Sequence, residues 1–284
     1  MTLKSYFPPL SVSLLLAIAG APAAAQTAAV MDGLNATAWV QSSVEYRASA
    51  LQAWLSARLS LPRALKDKKW TAALEQTGKF TKLPPAIIVD IDETVLDNSP
   101  GQARFLLEGN GRYDPGTWMK WTAEKRARAV PGSAEFLSEA AAKGVTVFYV
   151  TNRSAQEGPD TRDNLKAQGF PWKDQAAGDI GDVLLLSGEK PDWTSDKGTR
   201  RAIVARYYRI LLLGGDDLND FFPARLAPAE RAAKAAAYEK WWGERWIILP
   251  NPMYGSWEDS LLGFDRKLTP AEVQARKLKA LRRE

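Results

Sequence analysis

Ala86-Ile87-Ile88-Val89, followed at once by Asp90-Ile91-Asp92-Glu93-Thr94, is the stretch whose reading decides the rest of the chain. Four apolar residues, three of them β-branched, come straight after the Pro84-Pro85 break and predict a short strand buried on both faces. Similar strands are expected at 145–150, 183–186, 210–213 and 246–249. Helical patterns fall between most of them, at 135–143, 161–168, 199–207 and 229–242. Strands alternating with helices predict an α/β fold, a parallel sheet flanked by helices. Upstream, Trp39, Val40, Val44, Leu51, Trp54 and Leu55 recur near a 3.6-residue period, and a second helix is expected over 63–77, with Pro62 closing the first or opening the second. This makes an N-terminal helical extension over about 35–80. A further helix is expected at 277–283.

Composition narrows the chemistry. Among 284 residues there is no cysteine and no histidine, which excludes thiol catalysis, disulfides, imidazole acid–base chemistry and any Cys- or His-ligated zinc. Carboxylates, hydroxyls and amines must do the work. Thirty-eight basic against 33 acidic residues give a formal +5, too little to indicate a nucleic-acid polymer as partner but enough to favour small anions. Lys4, the apolar run 10–19 and Ala23-Ala24-Ala25 before Gln26 predict a cleaved signal peptide over 1–25. No apolar run reaches the roughly 20 residues of a membrane-spanning helix, and no cysteine follows the leader to take a lipid anchor. The expectation is a periplasmic or secreted protein whose residues 26–284 form one domain.

In an open parallel sheet, ligands bind beyond the carboxyl ends of the strands. Those positions hold Asp90 and Asp92 after the first strand, Thr151-Asn152-Arg153 after the second, and Gly214-Gly215-Asp216-Asp217-Leu218-Asn219-Asp220 after the fourth. Lys190 and Lys197 lie between the third and fourth. Alone, an Asp-x-Asp is often a turn, a strand-end Thr a cap, and a Lys pair a solvated surface. Converging on one rim, they suit a hard divalent cation and a phosphoryl group. Lys197 is preferred to Lys190 because it directly precedes the 199–207 helix and stands at its N-terminus.

The order Asp-x-Asp-x-Thr, hydrophobic-Thr, Lys, Gly-Asp-Asp-x-x-Asp resembles the haloacid dehalogenase superfamily. More narrowly, the segments 90–99, 149–153 and 215–221 resemble the secreted class C acid phosphatases, including the lipoprotein 5′-nucleotidases. So do the flanking segments 38–47 and 249–257. The resemblance implies a Rossmann-like parallel sheet with a small helical cap, here the insertion at about 98–131. Departures are the missing anchor cysteine, Gly101 where an aromatic often stands, and Asn219 where many relatives carry Asp.

The resemblance implies that Asp90 is the nucleophile forming an aspartyl-phosphate. Asp92 fits the acid that protonates the leaving alcohol and later deprotonates water. Thr151 and a lysine would neutralise phosphoryl oxygens. Mg²⁺ is the expected cofactor, with Asp90, Asp92, Asp216 and Asp220 as its set, Asp92 acting through its carbonyl and Asp220 through the metal's waters. For the substrate side, Trp118, Trp121 and Tyr254 are candidates to clamp a nucleobase, although the spacing of the two Trp equally suits a packed helix face. Asn152 and Arg153 lie beside Thr151; Arg153 would meet a phosphate or ribose, or form a rim ion pair. The expected activity is hydrolysis of small phosphomonoesters, 5′-nucleotides first. Phosphotransfer from the same intermediate, or a binding protein without turnover, are the alternatives. Relatives are often homodimers.

Overall fold

The computed structural model describes residues 32–108, 111–223 and 225–283; the expected signal peptide lies outside them. Two helices lead in, α1 (Leu34–Ser42) and α2 (Val44–Lys66). Between them the Ser43 side chain accepts the Tyr46 N–H, an N-cap that starts α2. The helix runs straight through Pro62, which corrects the expected break there. Proline forfeits one helix hydrogen bond, but Trp54, Ala57, Leu61 and Ala64 are buried along one face and belong to the main core. α2 stops at Lys66 and does not continue to 77. The Arg209 guanidinium takes the carbonyls of Ala64, Leu65 and Asp67, ending the helix. Residues 67–84 then follow tertiary partners instead of helical propensity: the Trp70 indole donates to Leu211 O, and the Gln76 amide bonds the backbone of Ala205, Tyr208 and Ile210.

β1 (Pro85–Val89) comes next, then β2 (Leu96–Asp97), α3 (Ser99–Leu107), α4 (Pro115–Ala123) and β3 (Arg128–Ala129). β2 and β3 pair antiparallel at the base of the segment that carries the two helices. The chain continues through α5 (Ser133–Ala142), β4 (Thr146–Ser154), α6 (Gly158–Ala167), β5 (Leu184–Ser187), α7 (Gly198–Tyr207), β6 (Arg209–Gly215), α8 (Pro228–Ala237) and β7 (Trp246–Ile248). The five long strands form a parallel sheet in the order β5-β4-β1-β6-β7. β4 and β5 lie to one side of β1 and β6 and β7 to the other, so the sheet changes direction at β1 and its tip is central on the rim.

Boundaries differ from expectation where long-range contacts intervene. β4 extends to Ser154, because pairing with β5 resumes at Ser154 and Ser187 after an irregularity. α8 ends at Ala237, short of 242; Tyr238, Trp241 and Trp242 turn inward onto Trp246, with ring centroids 4.9, 5.0 and 5.1 Å away. The last helices are α9 (Ser256–Leu261) and α10 (Pro270–Ala280). α10 starts earlier than 277 because Thr269 and Glu272 cap it reciprocally, and Lys277 ties it to Asp32 at 2.6 Å. Among the described residues no helix is long and apolar enough to cross a membrane.

Candidate active site

Asp90 follows β1 directly, its N–H held by Gly214 O of β6 at 2.9 Å. Lys197, the residue before α7, places its ammonium between Asp90 Oδ1 at 2.5 Å and Asp220 Oδ1 at 2.6 Å. Lys190 is elsewhere, over the Trp193 ring and bonded to Asp179 O. Asp216 is fixed by two donors, Thr94 Oγ1 at 3.0 Å and Asn251 Nδ2 at 2.8 Å. Asp90, Asp216 and Asp220 each offer a carboxylate oxygen, all within 4.8 Å of one another. Three carboxylates against one ammonium leave the cluster negative. A hard divalent cation would balance that excess with ligands it prefers.

Burial raises the pKa of Asp90, and raises Asp216 well above the ordinary carboxylate value, with Asp90 and Asp220 adding to it. Asp220 is pushed up to about 7, again by burial first and despite Lys197. Burial works against the charge on Lys197, but Asp220 and Asp90 outweigh it and its pKa rises. An unfolded Asp titrates near 3.9, so between there and about 7 the folded, metal-free protein binds more protons than the unfolded chain. Stability must then fall as pH rises through that window. In EDTA the melting temperature is expected to be higher at pH 5 than at pH 7.5, with added divalent cation flattening the slope. A metal-free melting temperature that rises with pH would contradict this account.

Asp92 faces a different set of partners. Along β4 alternate side chains point to opposite sides, so Thr151 and Arg153 share one face and Asn152 takes the other. Arg153, expected at the rim, is buried; its Nε and Nη2 reach Asp92 Oδ1 at 3.0 and 2.7 Å. Burial disfavours the guanidinium charge, yet Asp92 outweighs it and the Arg153 pKa is raised. Thr151 Oγ1 lies 3.5 Å from Asp92 Oδ2. The exposed Asn152 amide is engaged at both ends, by Arg200 Nη2 at 2.7 Å and Ser195 O at 3.1 Å. Trp118 and Trp121 are only 8% and 3% exposed, so the structure places them in packing and not as open stacking faces. Arg153 stacks over Trp118, and the Trp121 indole bonds Asn98. Tyr254 is partly buried, and its hydroxyl donates to Glu93 Oε2.

Several residues here carry no role in the sequence expectations. Glu93 adopts φ 58°, unusual for a side-chain-bearing residue. It is held by the Asn98 N–H on Oε1 and Tyr254 on Oε2, which joins the loop after β1 to the C-terminal segment. Arg200 binds the Thr151 and Thr194 carbonyls, and Arg201 binds those of Asn219 and Asp220. α7 thus grips both flanking loops. A signal existed: two arginines and no acid in a first helical turn oppose the helix dipole. Gly215 is another: a Cβ there would lie 2.1 Å from Asp220 Oδ2 and 2.3 Å from Asp220 Cβ. Gly215→Ala should push Asp220 off Lys197 and lower turnover about 10–100-fold, read as phosphate release at unchanged secondary structure by circular dichroism.

The sequence and the fold are matched by known proteins. The model of the HAD superfamily, subfamily IIIB (acid phosphatase) matches residues 19–257. The class C acid phosphatase from Bacillus anthracis is 32% identical, with a TM-score of 0.77 over 90% of this chain and 99% of that one. Its tungstate-bound crystal structure, also 32% identical, gives 0.76 over 90% and 98%. Fold and site together define a phosphomonoesterase with a HAD-like α/β sheet. The chain belongs to the subfamily IIIB acid phosphatases of the HAD superfamily.

Proposed function

We propose that this acid phosphatase is exported, depends on Mg²⁺, and hydrolyses small phosphomonoesters, 5′-nucleotides foremost, through an aspartyl-phosphate on Asp90. The convergence of buried Asp90, Asp220 and Lys197 with half-buried Asp216 carries this reading. An Asp90 carboxylate oxygen attacks phosphorus, the P–O ester bond breaks, and the departing alkoxide takes a proton from Asp92. Asp92 then takes a proton from water, whose oxygen attacks the aspartyl-phosphate to release inorganic phosphate and restore Asp90. Lys197 and the Thr151 hydroxyl stand beside these carboxylates and neutralise phosphoryl oxygens. The oxygen-only donor set fits Mg²⁺: Asp90, Asp216 and the Asp92 carbonyl would hold it, with Asp220 orienting its waters. When bound, it supplies further charge neutralisation for the phosphoryl group.

Arg153 and Asn98 occupy Asp92 Oδ1, which supports a positioned acid and takes Arg153 out of direct substrate binding. Tyr254, whose hydroxyl bonds Glu93 beside the two aspartates, is assigned to the leaving-group side. Export rests on the leader pattern of residues 1–25 and is checked by N-terminal sequencing of the protein from fractionated cells. The activity is tested by phosphate release from 5′- and 3′-nucleotides, sugar phosphates and p-nitrophenyl phosphate, with Mg²⁺ or EDTA. Metal-dependent release, highest kcat/KM on 5′-nucleotides, is expected. Undiminished release in EDTA would overturn the metal assignment, and a flat substrate ranking the nucleotide preference.

A further inference from the structure

Asn98 is fully buried between two groups that can only donate and two that can only accept. Its Oδ1 receives Trp121 Nε1 at 2.8 Å and Arg153 Nη2 at 3.3 Å. Its Nδ2 donates to Asp92 Oδ1 at 2.8 Å and Leu96 O at 3.2 Å. An indole N–H cannot accept a hydrogen bond and a carbonyl cannot donate one, so Trp121, Arg153 and Leu96 O together turn the Nδ2 end of the amide toward Asp92, with Trp121 making the shortest donor contact. With Asn98 and both Arg153 contacts on Oδ1, that oxygen is saturated by three donors. Among the described residues Oδ2 accepts only the long contact from Thr151 Oγ1 at 3.5 Å, so it is the oxygen with room to carry the transferable proton.

We propose that Trp121, acting through Asn98, is a positioning residue for Asp92 and couples α4 to proton delivery. Gly101 is part of the device. A Cβ at that position would lie 2.8 Å from the Trp121 ring, so the absent side chain is what lets the indole reach Asn98. Trp121 therefore acts on the leaving group without touching it.

The inference rests on Asp92 being the general acid, and leaving-group dependence separates the two claims. An aryl phosphate such as p-nitrophenyl phosphate needs little protonation of its leaving oxygen, whereas ethyl phosphate and glycerol 3-phosphate need it. The kcat/KM reports the step in which the ester bond breaks, and comparing esters on one preparation cancels any difference in the fraction folded. Trp121→Phe is expected to change kcat/KM less than about twofold on the aryl ester and to lower it about tenfold on the alkyl esters, a part of the 10²–10⁴ a positioned acid contributes. Gly101→Ala, which displaces the ring without removing its N–H, should give the same selectivity. Asp92→Asn should show it more deeply.

A selective Asp92→Asn beside an unselective Trp121→Phe would overturn the inference alone. An unselective Asp92→Asn would overturn the general-acid reading and the inference with it. A Trp121→Phe defect confined to nucleotides, as a raised KM, would show the ring contacting substrate and would equally overturn it.

Discussion

Asp90→Asn will release phosphate at least about 10⁴-fold more slowly than the wild type, the scale of loss when a nucleophile is removed, and will fold as stably in the absence of metal. The first half follows from chemistry: an amide has no charge with which to attack phosphorus. The second follows from electrostatics. Asp90 is buried beside Asp92, its pKa raised by burial first. It adds a negative charge to a cluster that already holds Asp216 and Asp220. Removing that charge relieves repulsion, while the asparagine oxygen still accepts from Lys197 and Lys197 keeps Asp220. Phosphate release and a melting curve in EDTA, on one preparation, measure both halves. Release within tenfold of wild type would remove Asp90 as nucleophile; a clearly lower metal-free melting temperature would refute the charge argument.

Lys197→Met is expected to fail on both counts. Its side chain is 6% exposed, and its removal strips the donor from Asp90 Oδ1 and Asp220 Oδ1 together. Taking one partner from a buried ion pair costs about 3–5 kcal/mol, which for a chain of this size lowers the melting temperature by about 6–20 °C. Turnover should drop about 10²–10³-fold, as when one preorganised donor to a developing charge is lost. The double variant, Lys197→Met with Asp90→Asn, should recover part of the stability and none of the activity, because two opposite buried charges leave together. A double variant no more stable than Lys197→Met would show that the ammonium holds the loops by packing and not by charge.

These two residues also differ in how they are legible. Asp90 is read from its own neighbours: three β-branched residues make a buried strand, and the first polar residue after it must emerge on the rim. Asp92, Thr151 and Asp216 follow by the same logic. Lys197 needs more, since it lies 107 residues from Asp90 and only the placement of α7 separates it from Lys190. Arg153 is the clearest case. Its position two residues after Thr151 put it on the same strand face, but whether it met substrate or protein depended on Asp92, 61 residues away.

The helical extension tells the same story from the other side. Periodicity placed helix across 39–55 but missed both ends of α2: its start is the Ser43 cap on Tyr46 N, and its end is made by Arg209, 145 residues beyond Ala64. The two tryptophans of α4 show a spacing that suits a buried face and a binding face equally; the contact with Asn98 decides for the interior.

By itself, then, the sequence determined the parallel α/β sheet, the residues at its strand tips, and the exclusion of histidine and cysteine chemistry. Period, turn residues and residue type are local properties, readable wherever they stand. The tertiary structure alone decided which lysine enters the carboxylate cluster, that Arg153 and Asn98 lock Asp92, and where α2, α8 and β4 end. Each of those outcomes is a contact between elements far apart in the chain, set by how the helices pack on the sheet and by the need of every buried donor and acceptor for a partner.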